Sequence, residues 1–170
     1  MQILNSTFED IETIFGLYDA AISFQKTKFN KHWQGFERSL IETEIKENRQ
    51  CKIIINEKTA CIFAITYEDA LIWEEKNNDS AIYIHRIVTN PAFRGNNFVI
   101  HIINWAKEFC KKNDKQLIRM DTWGDNDALI QYYTQFGFSF LGLTTLKKSE
   151  GLPKHYEGAC LSLFEINTNT

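Results

Sequence analysis

The residues best suited by type and spacing to bind a ligand form a turn, Pro91-Ala92-Phe93-Arg94-Gly95, between a β-rich run and a helical pattern. A helix that begins directly after a buried strand points unpaired backbone amides and the positive end of its dipole at any ligand above it. Arg94 adds a cation, and Gly95 lets a ligand approach the backbone closely. Asn96 and Asn97 adopt left-handed geometry more readily than most residues. The turn predicts a phosphate-binding site, although an ordinary strand-to-helix turn has the same pattern.

This turn differs from two familiar nucleotide-binding patterns. Neither a Walker lysine motif nor a Gly-x-Gly-x-x-Gly motif is present in the chain. Nucleotide hydrolysis and dinucleotide binding are therefore disfavoured.

A second group of residues lies on and after a later helix. Asn126 and Tyr133 are seven residues apart, which is two turns of a helix, so their side chains project from the same side. Gly137 is a predicted left-handed C-cap that ends the helix, and Phe138 follows it. The pattern predicts that one edge of this helix carries both the amide of Asn126 and the phenol of Tyr133.

Hydrophobic periodicity predicts the elements that carry both groups. The segment 81–89 is the strongest predicted strand, and a helix from Arg94 or Gly95 to about Lys112 follows it. A strand at 116–122 then completes a βαβ unit whose two strands are parallel. The other predicted elements are a first helix capped by Thr7, a second helix at 36–47, a hairpin of strands at 51–55 and 60–66, a possible strand at 70–73, a helix at 128–136 and closing strands at 138–146 and 160–166.

In this order and at this spacing, the turn and the later helix resemble the GNAT superfamily of N-acetyltransferases. The turn corresponds to that family's Pro-x-x-Arg-Gly-x-Gly segment, and the later residues match its Asn-x6-Tyr-x3-Gly-Phe segment. The chain departs from the usual Arg-Gly-x-Gly-x-Gly/Ala pattern at Asn97 and Val99. The resemblance implies an acetyl-CoA-dependent enzyme that moves an acetyl group to a primary amine of a small molecule or peptide. An inactive CoA-binding or peptide-binding module on the same fold is the alternative.

The resemblance covers nearly the whole chain and implies a GNAT-like fold of mixed α/β class. In that fold, a central, mostly antiparallel sheet of six or seven strands contains one parallel, splayed pair and is flanked by about four helices. We expect residues 1–170 to form a single N-acetyltransferase domain.

The resemblance also implies how acetyl-CoA is held. Backbone groups of Ile87, Val88 and Thr89 should pair with the pantetheine arm. One backbone amide of this segment should stabilise the oxyanion that forms during acetyl transfer. The other implied cofactor contacts are Arg94, Gly95, Asn96, Asn97, Phe98, Val99, Asn126 and Tyr133.

Two residues are implied to be catalytic. Tyr133 should donate a proton or hydrogen bond to the leaving thiolate, and His85 occupies the place where the family often has a glutamate base. An ordinary imidazole pKa of about 6.5 leaves histidine mostly neutral at pH 7, so it can accept a proton from an ammonium. A packed tyrosine and a structural histidine are the alternatives.

The acceptor pocket is implied to lie near the first two helices and the closing strands. Trp33, Phe36, His155 and Tyr156 are the candidate substrate-binding residues, and a surface loop is an equal alternative for the last two. Cys51, Cys61, Cys110 and Cys160 lack metal-ligand spacing, so we expect buried free thiols and no metal site.

Composition restricts the partners. The 170 residues carry a formal net charge of −3, which provides no positive field for nucleic acid or an anionic membrane. The first residues form neither a basic nor an apolar leader, and no apolar run is long enough to span a bilayer, so we expect a cytoplasmic protein. The expected partner is a small-molecule or peptide amine substrate, and the chain is expected to be either a monomer or a homodimer.

Overall fold

The computed structural model describes residues 1–124, 126–146, 156 and 158–169. Its strands are β1 (Gln2–Asn5), β2 (Gln50–Ile55), β3 (Lys58–Thr66), β4 (Ala81–Thr89), β5 (Leu117–Trp123), β6 (Ser139–Thr145) and β7 (Cys160–Asn167). Its helices are α1 (Ile11–Lys28), α2 (Arg38–Lys46), α3 (Ala70–Trp73), α4 (Phe98–Lys112) and α5 (Asp127–Gln135). The mixed α/β class predicted from the sequence is confirmed.

The strands form one seven-stranded sheet in the order β1-β2-β3-β4-β5-β7-β6. β4 and β5 pair in parallel, with Ala81 opposite Leu117 at one end of the ladder and Ile84 opposite Met120 at the other. β2 is antiparallel to both β1 and β3, and β7 is antiparallel to both β5 and β6. The predicted βαβ unit, in which α4 connects β4 to β5, is therefore present.

The chain divides into two compact units, and β4 and α4 each contribute residues to both. The first unit contains Met1–Ile65 and Arg86–Phe98, and the second contains Thr66–His85 and Val99–Thr170. The single domain expected over 1–170 stays a prediction.

Each unit has its own apolar core. In the first unit, one side of α1 and one side of α2 pack with strand residues, and the buried members are Ile11, Ile14, Leu17, Tyr18, Ile41, Ile45, Ile62 and Val88. In the second unit, α3 packs with β4 and β7 residues, and the buried members are Ile72, Trp73, Ala81, Tyr83, Leu146, Ala159, Leu161 and Leu163. The recurrence of apolar residues at helical spacing in α1 thus reflects a buried side, as the sequence predicts.

Two elements differ from the sequence prediction. The possible strand at 70–73 is wrong, because this segment is the short helix α3, in which Ile72 and Trp73 donate their backbone N–H groups to the Asp69 carbonyl. β1 was not predicted, since its residues are mostly exposed and show no clear alternation. It is held by its antiparallel ladder with β2, which local sequence does not encode.

The four cysteines are free. Cys51, Cys61 and Cys110 are buried as predicted, whereas Cys160 is half-buried. Burial raises the pKa of both Cys51 and Cys61 to about 12, so these thiols stay protonated near neutral pH. Among the helices that the structure describes, none is long and apolar enough to cross a membrane.

Candidate functional site

The predicted phosphate turn is an exposed loop with two left-handed residues. Gly95 has φ of +87° and Asn97 has φ of +48°, so the chain cannot continue a right-handed helix through them. α4 therefore begins at Phe98, three residues after Gly95, instead of at Arg94 or Gly95. A short 3-10 turn at Pro91–Phe93 precedes the loop.

Side chains around the turn fix its ends. The Asn90 side-chain amide donates to the Thr59 carbonyl at 2.8 Å, and its oxygen accepts from the Ala92 amide at 3.1 Å. Asn96 donates to the Phe93 carbonyl at 2.7 Å, and the Arg94 guanidinium carbon lies 4.7 Å from the centre of the Phe24 ring. Contacts within the protein thus fix both ends of the turn.

The first residues of α4 bury their side chains. Phe98 is 3% exposed and Val99 is 6% exposed, while Arg94 to Asn97 are exposed. An apolar side chain that is buried in the protein does not occupy the space outside the turn. Val99 therefore replaces a small family residue without covering the exposed loop.

β4 contains a strained residue immediately before the segment implied to bind pantetheine. Arg86 has φ of +52°, which is uncommon for a residue with a side chain and is found mostly where neighbouring contacts fix it. Its guanidinium forms an ion pair with Glu44, and its Nε donates to the Tyr18 hydroxyl at 3.2 Å. Burial acts to lower the pKa of Arg86, but Tyr18 and Glu44 outweigh it, so the pKa lies above its ordinary value. Beyond Arg86, Ile87 and Thr89 are half-buried and Val88 is buried.

His85 lies between two carboxylates in the second unit. Its Nε2 is 3.3 Å from Asp69 Oδ2, and its Nδ1 is 3.8 Å from Asp121 Oδ1. The last β4–β5 pair is Ile84 opposite Met120. His85 is the next residue on β4, and Asp121 is the next residue on β5. Asp69 immediately precedes α3. These three residues bring one ligand atom each to within 4.8 Å of one another, so the expectation of no metal site has a geometric alternative.

The carboxylate of Asp121 is strongly perturbed. Its side chain is only 3% exposed, and burial raises its pKa from 3.8 to about 6. The Asp69 carboxylate also acts to raise this pKa, while His85 acts to lower it. A carboxylate with this pKa costs stability when it ionises.

Asp121→Asn is expected to raise the free energy of unfolding at pH 8 by about 2–3 kcal/mol, because each pKa unit corresponds to about 1.4 kcal/mol. The folded-state pKa of about 6 exceeds the ordinary 3.8, so the cost is absent below the lower value and complete above the higher one. Urea unfolding of the parent and of Asp121→Asn at pH 4 and pH 8 measures the difference in the free energy of unfolding. An equal increase in the free energy of unfolding at both pH values would show that the ionisation of Asp121 is not the cause of the increase.

Arg119 and Asp121 lie two residues apart on β5 and pair with different groups. Arg119 is buried, its Nε donates to Glu165 at 2.8 Å, and its NH2 is ion-paired with Asp79. Asp121 instead faces His85. The two neighbouring charges on this strand therefore have separate partners.

Asn126 lies at the start of α5 and Gly137 lies just after its end. Asn126 caps α5 by accepting a hydrogen bond from the Leu129 amide at 3.2 Å, and Gly137 has the predicted left-handed conformation, with φ of +95°. The half-buried ring of Tyr133 contacts the rings of Phe138 and Phe164, with centroid distances of 6.1 and 5.4 Å. Packing fixes where the phenol lies.

The candidate acceptor residues fall in different places. Trp33 and Phe36 contact each other in the first unit, with ring centroids 5.3 Å apart, and Tyr18 lies 4.7 Å from Phe36. Tyr156 is half-buried and packs on the core of the second unit. His155 lies outside the described residues.

Sequence reasoning found His85 but missed both of its acidic neighbours. The parallel register places Asp121 beside His85, so correct strand pairing alone would have indicated that contact. No local signal indicated Asp69, because the segment after it resembles a strand in sequence and forms α3 instead.

Similarity to known proteins identifies the family. The model described as the acetyltransferase (GNAT) family matches residues 29–138. The chain belongs to the GNAT acetyltransferase family. The resemblance found in the turn and in the later helix is thereby confirmed.

Individual relatives agree with the GNAT assignment. The chain is 23% identical to the uncharacterized N-acetyltransferase YesJ of Bacillus subtilis (strain 168) over 145 residues, which cover 81% of each chain. A GNAT-family acetyltransferase structure from Listeria monocytogenes 4b F2365 gives a TM-score of 0.76 at 24% identity, covering 97% of this chain and 94% of that one. The structure of yncA, a putative acetyltransferase from Salmonella typhimurium with its cofactor acetyl-CoA, gives a TM-score of 0.69 at 10% identity, with 100% and 95% covered. The GNAT-like fold is confirmed.

Proposed function

We propose that this GNAT protein is an acetyl-CoA-dependent N-acetyltransferase that acetylates a primary amine of a small molecule or peptide. The observation that carries the proposal is the exposed turn with left-handed Gly95 and Asn97 directly before α4. Family membership and the acetyl-CoA in the yncA structure support the choice of cofactor.

The turn fits a pyrophosphate despite its missing glycines. Left-handed residues next to helical ones turn successive backbone N–H groups toward one point, which makes an anion-binding nest. Asn97 has the left-handed conformation that a glycine would otherwise supply, and Val99 is buried. α4 has fifteen residues, so its N-terminus also contributes a positive dipole end.

The cofactor contacts follow from the family pattern. Arg94, Gly95 and Asn96 would hold the phosphates together with the backbone amides of Asn97 to Val99. Backbone groups of Ile87, Val88 and Thr89 would pair with the pantetheine arm, and the edge with Asn126 and Tyr133 would complete the site. When bound, acetyl-CoA supplies an activated acyl thioester.

Two side chains would handle protons. His85 would accept a proton from the acceptor ammonium, either directly or through water, and so release a neutral amine. Tyr133 would donate a hydrogen bond or a proton to the sulfur of the departing thiolate. A backbone amide of the Ile87–Thr89 segment would stabilise negative charge on the carbonyl oxygen.

Calorimetric titration of the purified protein with acetyl-CoA tests the proposal. Saturable binding in the micromolar range, with thiol release when primary amines are added, is expected. Absence of binding up to millimolar acetyl-CoA would contradict the proposal, and binding without thiol release for any amine would favour an inactive CoA-binding module.

A pair of variants shows whether the turn is the binding site. Asn97→Val is expected to weaken acetyl-CoA binding about tenfold, because a β-branched residue at φ of +48° costs about 1–2 kcal/mol and distorts the turn. Asn97→Gly should bind as the parent does, since glycine accepts this conformation. Equal dissociation constants for the two variants would place the cofactor elsewhere.

A further inference from the structure

The side chain of Arg94, in the exposed turn before α4, is held differently from the other arginines. The chain has five arginines, and four of them form ion pairs with carboxylates, namely Arg38, Arg49, Arg86 and Arg119. Among the residues that the structure describes, no carboxylate is ion-paired with Arg94, whose guanidinium lies over an aromatic ring. Its positive charge therefore remains available to an anion.

The ring that holds Arg94 belongs to Phe24, near the end of α1. The guanidinium carbon lies 4.7 Å from the ring centre, which is within the range of a cation–π contact. Phe24 is 43% exposed, and the members of the first unit's apolar core on α1 end at Ala21. A ring attracts a guanidinium without carrying a net charge. It therefore restricts the Arg94 side chain without neutralising it, as a carboxylate in the same place would.

The two chain segments that meet at this contact contain no acidic residue. Residues 20–36 include three lysines, and the only charged side chain in residues 90–106 is that of Arg94. The whole chain has a formal net charge of −3, so this local excess of positive charge does not follow from composition. The N-terminus of α4 adds the positive end of a helix dipole. These charges complement a ligand that carries several phosphate charges.

We propose that Phe24 is a positioning residue for the cofactor phosphates and acts by holding Arg94 where they bind. This inference rests on the proposed acetyl-CoA-dependent function. The ring accepts no conventional hydrogen bond, so the five N–H donors of the guanidinium remain for phosphate oxygens. An exposed arginine loses rotamer freedom when it binds an anion, and a ring that already restricts the side chain reduces that loss.

A double-mutant cycle of Phe24→Leu and Arg94→Gln tests the proposal, with the dissociation constant for acetyl-CoA as the calorimetric readout. Phe24→Leu keeps an apolar side chain but removes the ring, so it should weaken binding about two- to fivefold, the usual size of an exposed cation–π contact. In the Arg94→Gln background the same substitution should have no further effect, because the cation through which the ring acts is absent.

Other phenylalanine variants sharpen the comparison. Phe24→Trp keeps a ring that attracts cations more strongly and should bind acetyl-CoA at least as tightly as the parent. Phe24→Asp should weaken binding more than Phe24→Leu does, because its carboxylate would pair with Arg94 and repel phosphate. Phe8→Leu removes a ring that is 57% exposed just before the opposite end of α1, and it should leave the dissociation constant unchanged.

Three outcomes would overturn the role of Phe24. The first is an unchanged dissociation constant in Phe24→Leu. The second is an equal loss of affinity from Phe24→Leu in the parent and in the Arg94→Gln background, which would show a merely structural effect. The third is a loss in Phe24→Trp as large as that in Phe24→Leu. Thermal unfolding of each variant shows that it is folded.

Inorganic pyrophosphate separates this inference from the proposed function. Its binding to the same four proteins of the cycle is followed by the backbone amide NMR signals of Gly95 and Asn96, without acetyl-CoA. If acetyl-CoA binds and thiol is released but the cycle shows no coupling, the proposed function stands and the role of Phe24 is wrong. If pyrophosphate binding shows coupling between Phe24 and Arg94 while acetyl-CoA does not bind, the positioning of Arg94 for phosphate stands and the proposed function is wrong.

Discussion

Tyr133→Phe is expected to lower kcat for acetyl transfer by about tenfold to a hundredfold, a modest effect for loss of a general acid. The ordinary pKa values of about 10 for a phenol and about 8.5 for a thiol make complete proton transfer uphill by roughly 2 kcal/mol, so the phenol acts mainly as a hydrogen-bond donor. The dissociation constant for acetyl-CoA should change less than about twofold, because phenylalanine keeps the ring contacts with Phe138 and Phe164. Steady-state kinetics and calorimetry measure the two quantities.

The neighbouring tyrosine provides a matched control. Tyr132 is also half-buried on α5, and its ring lies 5.2 Å from that of Tyr133. Tyr132→Phe removes the same hydroxyl from the same helix and should leave kcat near the parent value. Equal turnover in Tyr133→Phe and the parent would remove Tyr133 from the proposed chemistry.

Those parts of the fold that depend on local pattern were predictable from the sequence. The strand β4 was predicted with the residue limits that the structure shows, because six of its nine residues favour strands and a proline turn follows them. The end of α5 was predicted from Gly137, since a left-handed C-cap is a property of one residue.

Helix α4 shows the limit of periodicity. Its apolar residues repeat at helical spacing from Phe98 onward, yet the residues before Phe98 are equally compatible with a helix in sequence. The left-handed conformations of Gly95 and Asn97 decide the boundary, and both are backbone properties that a hydrophobic pattern does not reveal. The predicted helix start was therefore three or four residues early.

The site was less predictable because its contacts join distant parts of the chain. His85 was predicted from its place two residues before Ile87. Its carboxylate neighbours are Asp69, which precedes a helix predicted as a strand, and Asp121, which lies on the next parallel strand. Arg86 had no predicted partner, although it is ion-paired with Glu44, more than forty residues earlier. Ion pairs of this kind depend on tertiary packing, and residue type alone does not identify them.

Glu44→Gln is expected to lower the free energy of unfolding by about 3–5 kcal/mol, the usual cost of removing one partner from a buried ion pair. Glu44 is 3% exposed on α2, and the side chain of Arg86 is 11% exposed. Glutamine has the same size, so no cavity forms and the loss reports the charge. The guanidiniums of Arg86 and Arg49, which lies 3.9 Å from Glu44, would face each other without their shared counter-ion.

A second glutamate on the same helix shows whether burial produces this cost. Glu42 forms an ion pair with Arg38 at 3.1 Å, but the two side chains are 44% and 56% exposed. Water and salt screen an exposed pair, so Glu42→Gln should change the free energy of unfolding by less than about 1 kcal/mol. Urea unfolding of both variants at pH 7 makes the comparison. Equal losses would mean that helix α2 itself, rather than the burial of the Arg86 charge, is sensitive to the substitution.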